Sequence, residues 1–383
     1  MSVQGKLAES PGLQSSLDAL HRDVYANNMA PYWVVDRSVA HDEDRQVTKG
    51  RKALPFIWKY ERQIEPLLHR SAALITTETS ERRSLVLVNP GLAPQRATAT
   101  TMYVAYRLND PREIMPPHRH SPNAIRLGLT GTQNFTGVEG EPIVFGPGDL
   151  VLTPHDTWHN HGNRGDGPAI NLSVLDLPLA ETLNSMYFEH DYKEEHDGQL
   201  VARRLQTERF PADYSSRAYG QGGLMPRFVS HHRGAGAASP MFVYRYDMMR
   251  EMLEKFRDWD GDPYEGLMVE YVNPTNGEPV FKTLTFFMQM LRPGQRTRPL
   301  KQSASLVCAP FEGRGYSLIG DQRLDWERFD TVVVPGGSWC EHVNLSDKDP
   351  AILFVASDEP TLKKLAFYQK HGRNEHGDVV RLY

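Results

Sequence analysis

One pattern occurs twice in this chain, and it limits the possible folds more than any other feature. Gly148-Asp-Leu-Val-Leu-Thr-Pro154 precedes Trp158-His-Asn-His161, and Phe329-Asp-Thr-Val-Val-Val-Pro335 precedes Trp339-Cys-Glu-His342. Both anchors, Trp158 with Trp339 and His161 with His342, lie 181 positions apart. An aspartate, a proline, a tryptophan and a histidine recurring in one order read as internal duplication of a single domain. Around the first copy, short apolar runs at 84–88, 101–108, 124–130, 143–145, 150–153 and 170–177 alternate with Gly, Pro, Asn and Asp. Strands this short and this closely spaced belong to a barrel or sandwich, not to a βαβ sheet. A second set occupies about 283–357, so the expected class is all-β dominated, with two barrels in tandem.

A chain of 383 residues accommodates two such domains. Residues 1–75 read as an N-terminal helical arm with a helix over 16–27, expected to pack on the main body or on a neighbouring subunit. The first barrel is assigned to 76–180, a linker to 181–260 and the second barrel to 261–383. The linker is polar as far as a Gly/Ala/Ser-rich piece at 234–239, then helical, because Phe242, Tyr246, Met249, Leu253 and Phe256 recur at steps of four and three. A formal net charge of −5 gives no basic field for nucleic acid or anionic membrane, and no apolar run reaches the length of a span. The opening residues carry neither a secretory apolar region nor the Arg-rich character of a transit peptide. Two cysteines, Cys308 and Cys340, exclude a disulfide framework, and a reducing, cytoplasmic location is expected.

Histidine placement carries the chemistry. Residues two apart on a strand share a face, so His118 and His120 can aim at one point inside a barrel. His159 and His161 form a second such pair about 40 residues on. Imidazole suits Fe, Zn, Cu, Ni and Mn, so the ligand type alone does not choose the metal. His155 falls in a Pro-His-Asp turn and reads as solvent-facing.

His118-Arg-His120, Gly146-Pro-Gly-Asp149, Pro154 and Trp158-His159 resemble the two motifs of a cupin barrel. More narrowly, Glu81-Arg-Arg-Ser-Leu-Val-Leu-Val-Asn-Pro-Gly-Leu92, Pro117-His-Arg-His120, Ala124-Ile-Arg126, Trp158-His-Asn-His-Gly-Asn163 and Leu175-Asp-Leu-Pro-Leu179 resemble the gentisate 1,2-dioxygenase family. Asp262-Pro-Tyr-Glu-Gly266 and Tyr271-Val-Asn-Pro274 extend the likeness into the second half. The resemblance implies a bicupin subunit, Fe(II), a homotetramer, and a substrate among gentisate, salicylate, substituted salicylates and 1-hydroxy-2-naphthoate. The common cupin Glu ligand is absent, because Asn123, Ala124 and Ile125 fill its region, and this agrees with the family's three-histidine site. Carried over by position, the ligands are His118, His120 and His159. His161 then stands beside the metal as the group that hydrogen-bonds the bound hydroxyl or oxygen and serves in acid–base chemistry.

Arg126, six residues after His120, has the parity to face inward and pair with a substrate carboxylate. Alternation lets only one of Arg82 and Arg83 face the cavity, and the resemblance selects Arg82. Tyr103 keeps an aromatic of the family's pocket, whereas Arg107 stands where the family commonly has Gln, Ser173 where it has Asp, and Asn171 where it often has Trp. An added cation and a lost anion make the cavity more positive. The expected substrate is therefore a substituted salicylate such as 5-nitrosalicylate, or gentisate. At the ligand positions of the second barrel stand Leu300-Lys301-Gln302 and Cys340, so that barrel is expected to be metal-free. The expected reaction opens a 2-hydroxybenzoate with O2 between the carboxyl- and hydroxyl-bearing carbons. The alternative is a metal-binding cupin, an isomerase or ligand-binding protein that consumes no oxygen.

Overall fold

In strand Tyr103–Asn109, Val104, Tyr106 and Leu108 point to one side and Arg107 and Asn109 to the other, and this two-residue period sets the architecture. The computed structural model describes residues 11–27, 29, 31, 39–42, 45–48, 52–75, 83–222, 224, 226 and 238–383. They separate into Met1–Lys52 and Ala53–Tyr383. The smaller unit holds helix Pro11–Ala26, with proline in its first turn, and a hairpin of Val39–Asp42 with Arg45–Thr48.

The larger unit contains three six-stranded sheets, two of which share a core. The first runs in the order Val243–Tyr244, Leu150–Thr153, Ala124–Thr130, Ala169–Leu175, Tyr103–Asn109, Ser84–Val86. The second runs Leu267–Glu270, Thr285–Leu291, Ala351–Ser357, Leu306–Glu312, Thr331–Val334, Phe56–Trp58. One face of each sheet joins a shared core: Val104, Tyr106, Ile125, Leu127 and Leu172 cluster with Phe286, Met288, Val307 and Phe354. The two barrels are thus held together by ordinary apolar burial.

The other face of each sheet lines its own barrel, and here the copies diverge. In the first barrel Arg107, Asn109, Arg126, Asn171 and Ser173 are all buried, opposite a three-stranded sheet of Asn134–Val138, Glu141–Phe145 and His159–Asn163. In the second, the residues 182 positions on are Gln289, Leu291, Cys308, Leu353 and Val355, and all but Gln289 belong to an apolar cluster with Ile319, Trp326 and Val332. A bicupin with one polar and one apolar interior is the result.

Several segments differ from the sequence expectation. The helix expected from Phe242 starts at Tyr246 and ends at Lys255. Phe242 and Val243 are claimed instead by the first barrel, where Leu152 N–H donates to the Phe242 carbonyl (2.8 Å) and Val243 pairs with Val151. The strand expected to reach 177 stops at Leu175, because Leu177–Thr182, with Pro178 in its first turn, is helical. Residues 53–75 belong with the barrels rather than with the arm: Phe56–Trp58 pairs with the strand Thr331–Val334, and helix Glu65–Leu74 buries Leu68. Most of the Gly/Ala/Ser-rich piece at 234–239 lies outside the described residues. No described helix is long and apolar enough to cross a membrane.

Candidate metal centre

The histidines meet because two strand ends are tied together. His118 N–H donates to the His159 carbonyl and His159 N–H to the His118 carbonyl, both at 2.9 Å, so the two side chains leave one point of the ladder. His120 follows on strand Arg119–His120, and its ring centroid lies 4.8 Å from that of His159. Gly162 makes this closeness possible, since a Cβ there would sit 2.0 Å from the Glu113 carbonyl of the crossing segment. Each of His118, His120 and His159 offers a ring nitrogen within 4.8 Å of the others, and all three are buried.

The donor set fits a divalent metal. His120 Nδ1 lies 2.8 Å from the Pro122 carbonyl and His159 Nδ1 lies 2.8 Å from the Thr157 carbonyl. A carbonyl only accepts, so each Nδ1 carries the proton and each Nε2 keeps its lone pair for a metal. His159 Nε2 is buried and has no hydrogen-bond partner, the state expected of a ligand atom. Burial, then the neighbouring His118 and His120 and Arg126, hold His159 well below the usual imidazole range, which keeps it in the neutral, ligating form.

Beside this triad, His161 accepts from the Arg126 guanidinium through Nε2 at 2.5 Å, and its Nδ1 faces Thr136 Oγ1 at 3.4 Å. Burial first, and then Arg126, push its pKa well down. Arg126 also donates to Thr153 Oγ1 at 2.9 Å. Arg107 lies on the same interior face, its guanidinium against Met115 Sδ, with Asn171 directly across the ladder. Ser173 sits between Ala105 and Arg126 in the sheet.

A cupin-domain family model matches residues 109–175, the span that holds His118, His120, His159 and His161. Gentisate 1,2-dioxygenase 1 of Aquipseudomonas alcaligenes is 33% identical over 365 residues, covering 94% of this chain and 98% of that protein. The 5-aminosalicylate 1,2-dioxygenase of a Comamonas species is 32% identical, covering 93% and 90%. Salicylate 1,2-dioxygenase from Pseudoaminobacter salicylatoxidans, solved as adducts with gentisate, superposes with a TM-score of 0.80 at 27% identity, covering 96% and 95%. The chain belongs to the gentisate and salicylate 1,2-dioxygenase family. It is a ring-cleaving dioxygenase, an oxidoreductase, and its cupin architecture is the one that the resemblance implied.

Within this dioxygenase the structure brings His118, His120, His159, His161, Arg126 and Arg107 into one barrel interior. Tyr103 shares the strand face of Arg107 but is half-buried at the strand's beginning, across from Leu175. Arg82 lies outside the described residues. Its neighbour Arg83 turns away from the metal centre and is buried among Asp110, Glu113 and the carbonyls of Ala72 and Ile75. His155 is not solvent-facing: it is half-buried, its Nδ1 2.6 Å from the Ser121 carbonyl.

The sequence reading missed one contributor. Phe188, inside the stretch assigned as linker, forms a two-residue strand with Arg119–His120 and stacks on His118 at 5.2 Å and 20°. Its ring also lies 5.3 Å from that of His120, and His190 lies 4.6 Å from Phe188. A Tyr-Phe-x-His run in a charged segment was the one available signal.

Proposed function

We propose that the enzyme uses Fe(II) held by His118, His120 and His159 to open a substituted salicylate, 5-nitrosalicylate being the favoured candidate, between its carboxyl- and hydroxyl-bearing carbons. The observation that carries this reading is the pair of buried arginines, Arg107 and Arg126, on one interior face with neutral Asn171 and Ser173 beside them. When bound, Fe(II) on three neutral imidazoles supplies sites for the carboxylate, the ortho hydroxyl and O2, and couples electron transfer between ring and oxygen. Arg126 orients the carboxylate by a charge-assisted hydrogen bond. As Arg126 turns to that carboxylate it releases His161 Nε2, which takes the hydrogen bond of the substrate hydroxyl. Arg107 adds positive charge where an electron-poor or anionic ring substituent rests. The relatives named for gentisate and 5-aminosalicylate leave gentisate as the second candidate.

Oxygen uptake by anaerobically Fe(II)-loaded enzyme tests this with salicylate, its 5-nitro, 5-amino and 5-chloro derivatives, and gentisate. Fastest uptake with 5-nitrosalicylate is expected; rapid gentisate turnover with no response to nitro- or halosalicylates overturns the substrate assignment. Zn(II) or Mn(II) restoring full uptake where Fe(II) does not overturns the metal assignment. We further propose a cytoplasmic homotetramer. Both cysteines are free, and exposed apolar side chains such as Leu200, Trp259 and Phe367 offer surface for subunits to cover. Light scattering gives the mass directly.

A further inference from the structure

The chain contains two buried carboxylate latches, related by the same duplication, that bind each barrel to the other. In the first, Asp176 accepts from Asn123 N–H at 2.7 Å, from Asn123 Nδ2 at 2.9 Å, and from the Thr283 hydroxyl. In the second, Asp358 accepts from Ser305 N–H at 2.8 Å and from the Thr101 hydroxyl at 2.5 Å. Asp358, Ser305 and Thr283 each stand 182 positions after Asp176, Asn123 and Thr101. The latches are therefore reciprocal: a threonine of the second half closes the first, and a threonine of the first half closes the second. Asn123 and Ser305 repeat one more duty. Asn123 Oδ1 accepts from His155 N–H at 2.9 Å and Ser305 Oγ from Gly336 N–H at 3.2 Å, the residues that follow Pro154 and Pro335.

The latches differ in what lies at their end. Asn123 directly follows Pro122, whose carbonyl receives His120 Nδ1–H at 2.8 Å. At the equivalent place in the second barrel Gln302 replaces His120. Asp176 grips Asn123 through both its backbone N–H and its amide, and Thr283 bonds Asp176 and also lies 3.2 Å from Asn123 Nδ2. The peptide that aims His120 is thus clamped by a hydroxyl contributed from the other barrel. Asp176 is buried, and loss of one donor leaves its carboxylate poorly solvated.

We infer that Thr283 and Asp176 are positioning residues for the metal ligand His120, so that the metal-free barrel sets the affinity of the metal-bearing one. This rests on His118, His120 and His159 holding the metal. Outer partners of a ligating histidine commonly change metal affinity about 10–100-fold, and a clamp one step further out belongs at the lower end of that range.

The duplication supplies its own control. Thr283→Val and Thr101→Val remove the same hydroxyl from the same latch, and only the first leads to a metal ligand. Full-length protein is loaded with Fe(II) anaerobically, and its metal is titrated away with a ferrous chelator; Co(II) absorption reports the ligand field separately. Thr283→Val is expected to weaken Fe(II) about tenfold and to change the Co(II) spectrum, with Thr283→Ser restoring both. Thr101→Val is expected to lower the unfolding midpoint as much as Thr283→Val does and to leave metal affinity unchanged. Equal metal affinities for the two valine variants overturn the inference. Should Thr283→Val fail to fold, Asn123→Ser, which copies the second latch, gives the same reading: wild-type affinity there also overturns it. A wild-type protein that retains no Fe(II) sinks the metal assignment itself, a different failure.

Discussion

Arg107→Gln separates substrate recognition from architecture. Arg107 is 5% exposed, on the interior face of the first barrel, and stands directly across from Asn171. Glutamine packs well in this scaffold, because Gln289 occupies the equivalent place in the second barrel and is 2% exposed. The substitution keeps polarity and approximate reach and removes the charge. A hydrogen bond to a charged group contributes about 1.5–3 kcal/mol, which converts to a factor of about 10–150 in kcat/KM. The loss is expected with 5-nitrosalicylate, whose nitro oxygens take the guanidinium. Unsubstituted salicylate presents nothing to Arg107 and is expected to change by less than about threefold, which is within about 0.7 kcal/mol of the wild type. Initial oxygen-uptake rates with both substrates, at measured and equal iron content, give the two ratios. A fall by one common factor for both substrates refutes the reasoning and makes Arg107 a residue of the barrel's framework.

Three further outcomes follow from the site and its twin. Arg126→Met is expected to lower kcat/KM for every 2-hydroxybenzoate by about 10–150-fold, and a loss confined to one substrate contradicts its role at the shared carboxylate. Phe188→Ala removes the ring stacked on His118, about 0.5–1.5 kcal/mol, so chelator-driven metal loss is expected to quicken about two- to tenfold and Phe188→Leu to recover part of it. In the second barrel, burial holds His342 down to about 4, its Nδ1 beside Ser317 Oγ. The unfolded chain binds this proton near pH 6.5 and the folded one only near 4. Stability is therefore lost as pH falls from about 6.5 and levels off below about 4, on the order of 3 kcal/mol. His342→Asn is expected to flatten that stretch of the denaturation-midpoint profile, and an unchanged slope refutes the assignment.

The histidine cluster was legible in the sequence because strand periodicity brings His118 with His120 and His159 with His161 onto shared faces, and the family resemblance then selected the three proposed ligands. Arg126 was legible for the same reason, as inward parity on its strand, whereas Arg107 stood out only against the Gln common in the resembling family. What parity does not encode is pairing between distant segments. The strand of Phe188 is two residues long and exists because it finds the edge at Arg119–His120. Phe242 and Val243 likewise sat in a helical repeat, yet the free edge of Leu150–Thr153 drew them into the sheet. Asp176, in a Leu-Asp-Leu-Pro run, gave no sign of its partner 107 residues away. The asymmetry of the two barrels was visible at the ligand positions, but its extent was not: the replacement of a polar interior by an apolar one emerges only once the register aligns Arg126 with Cys308 and Asn171 with Leu353.

That asymmetry has an energetic consequence. The first barrel buries two guanidinium groups and four imidazoles against hydroxyls and amides, each at a desolvation cost that its hydrogen bonds only partly offset. The second fills the same volume with Trp326, Ile319, Leu353 and Val355, whose burial is favourable outright. Metal-free protein is therefore expected to exchange backbone hydrogens faster in Asn134–Val138 and His159–Asn163 than in the matching Gly315–Ile319 and Trp339–Asn344. Metal bound at a hundred times its dissociation constant stabilises the folded site by about 2.7 kcal/mol, so Fe(II) is expected to slow exchange about a hundredfold in the first pair and little in the second. Hydrogen exchange read by mass spectrometry on the two peptide pairs measures this. Equal protection of both pairs refutes it, because the shared core of Tyr106, Phe286 and Phe354 would then bind the two barrels into one cooperative unit whose interior polarity has no local effect.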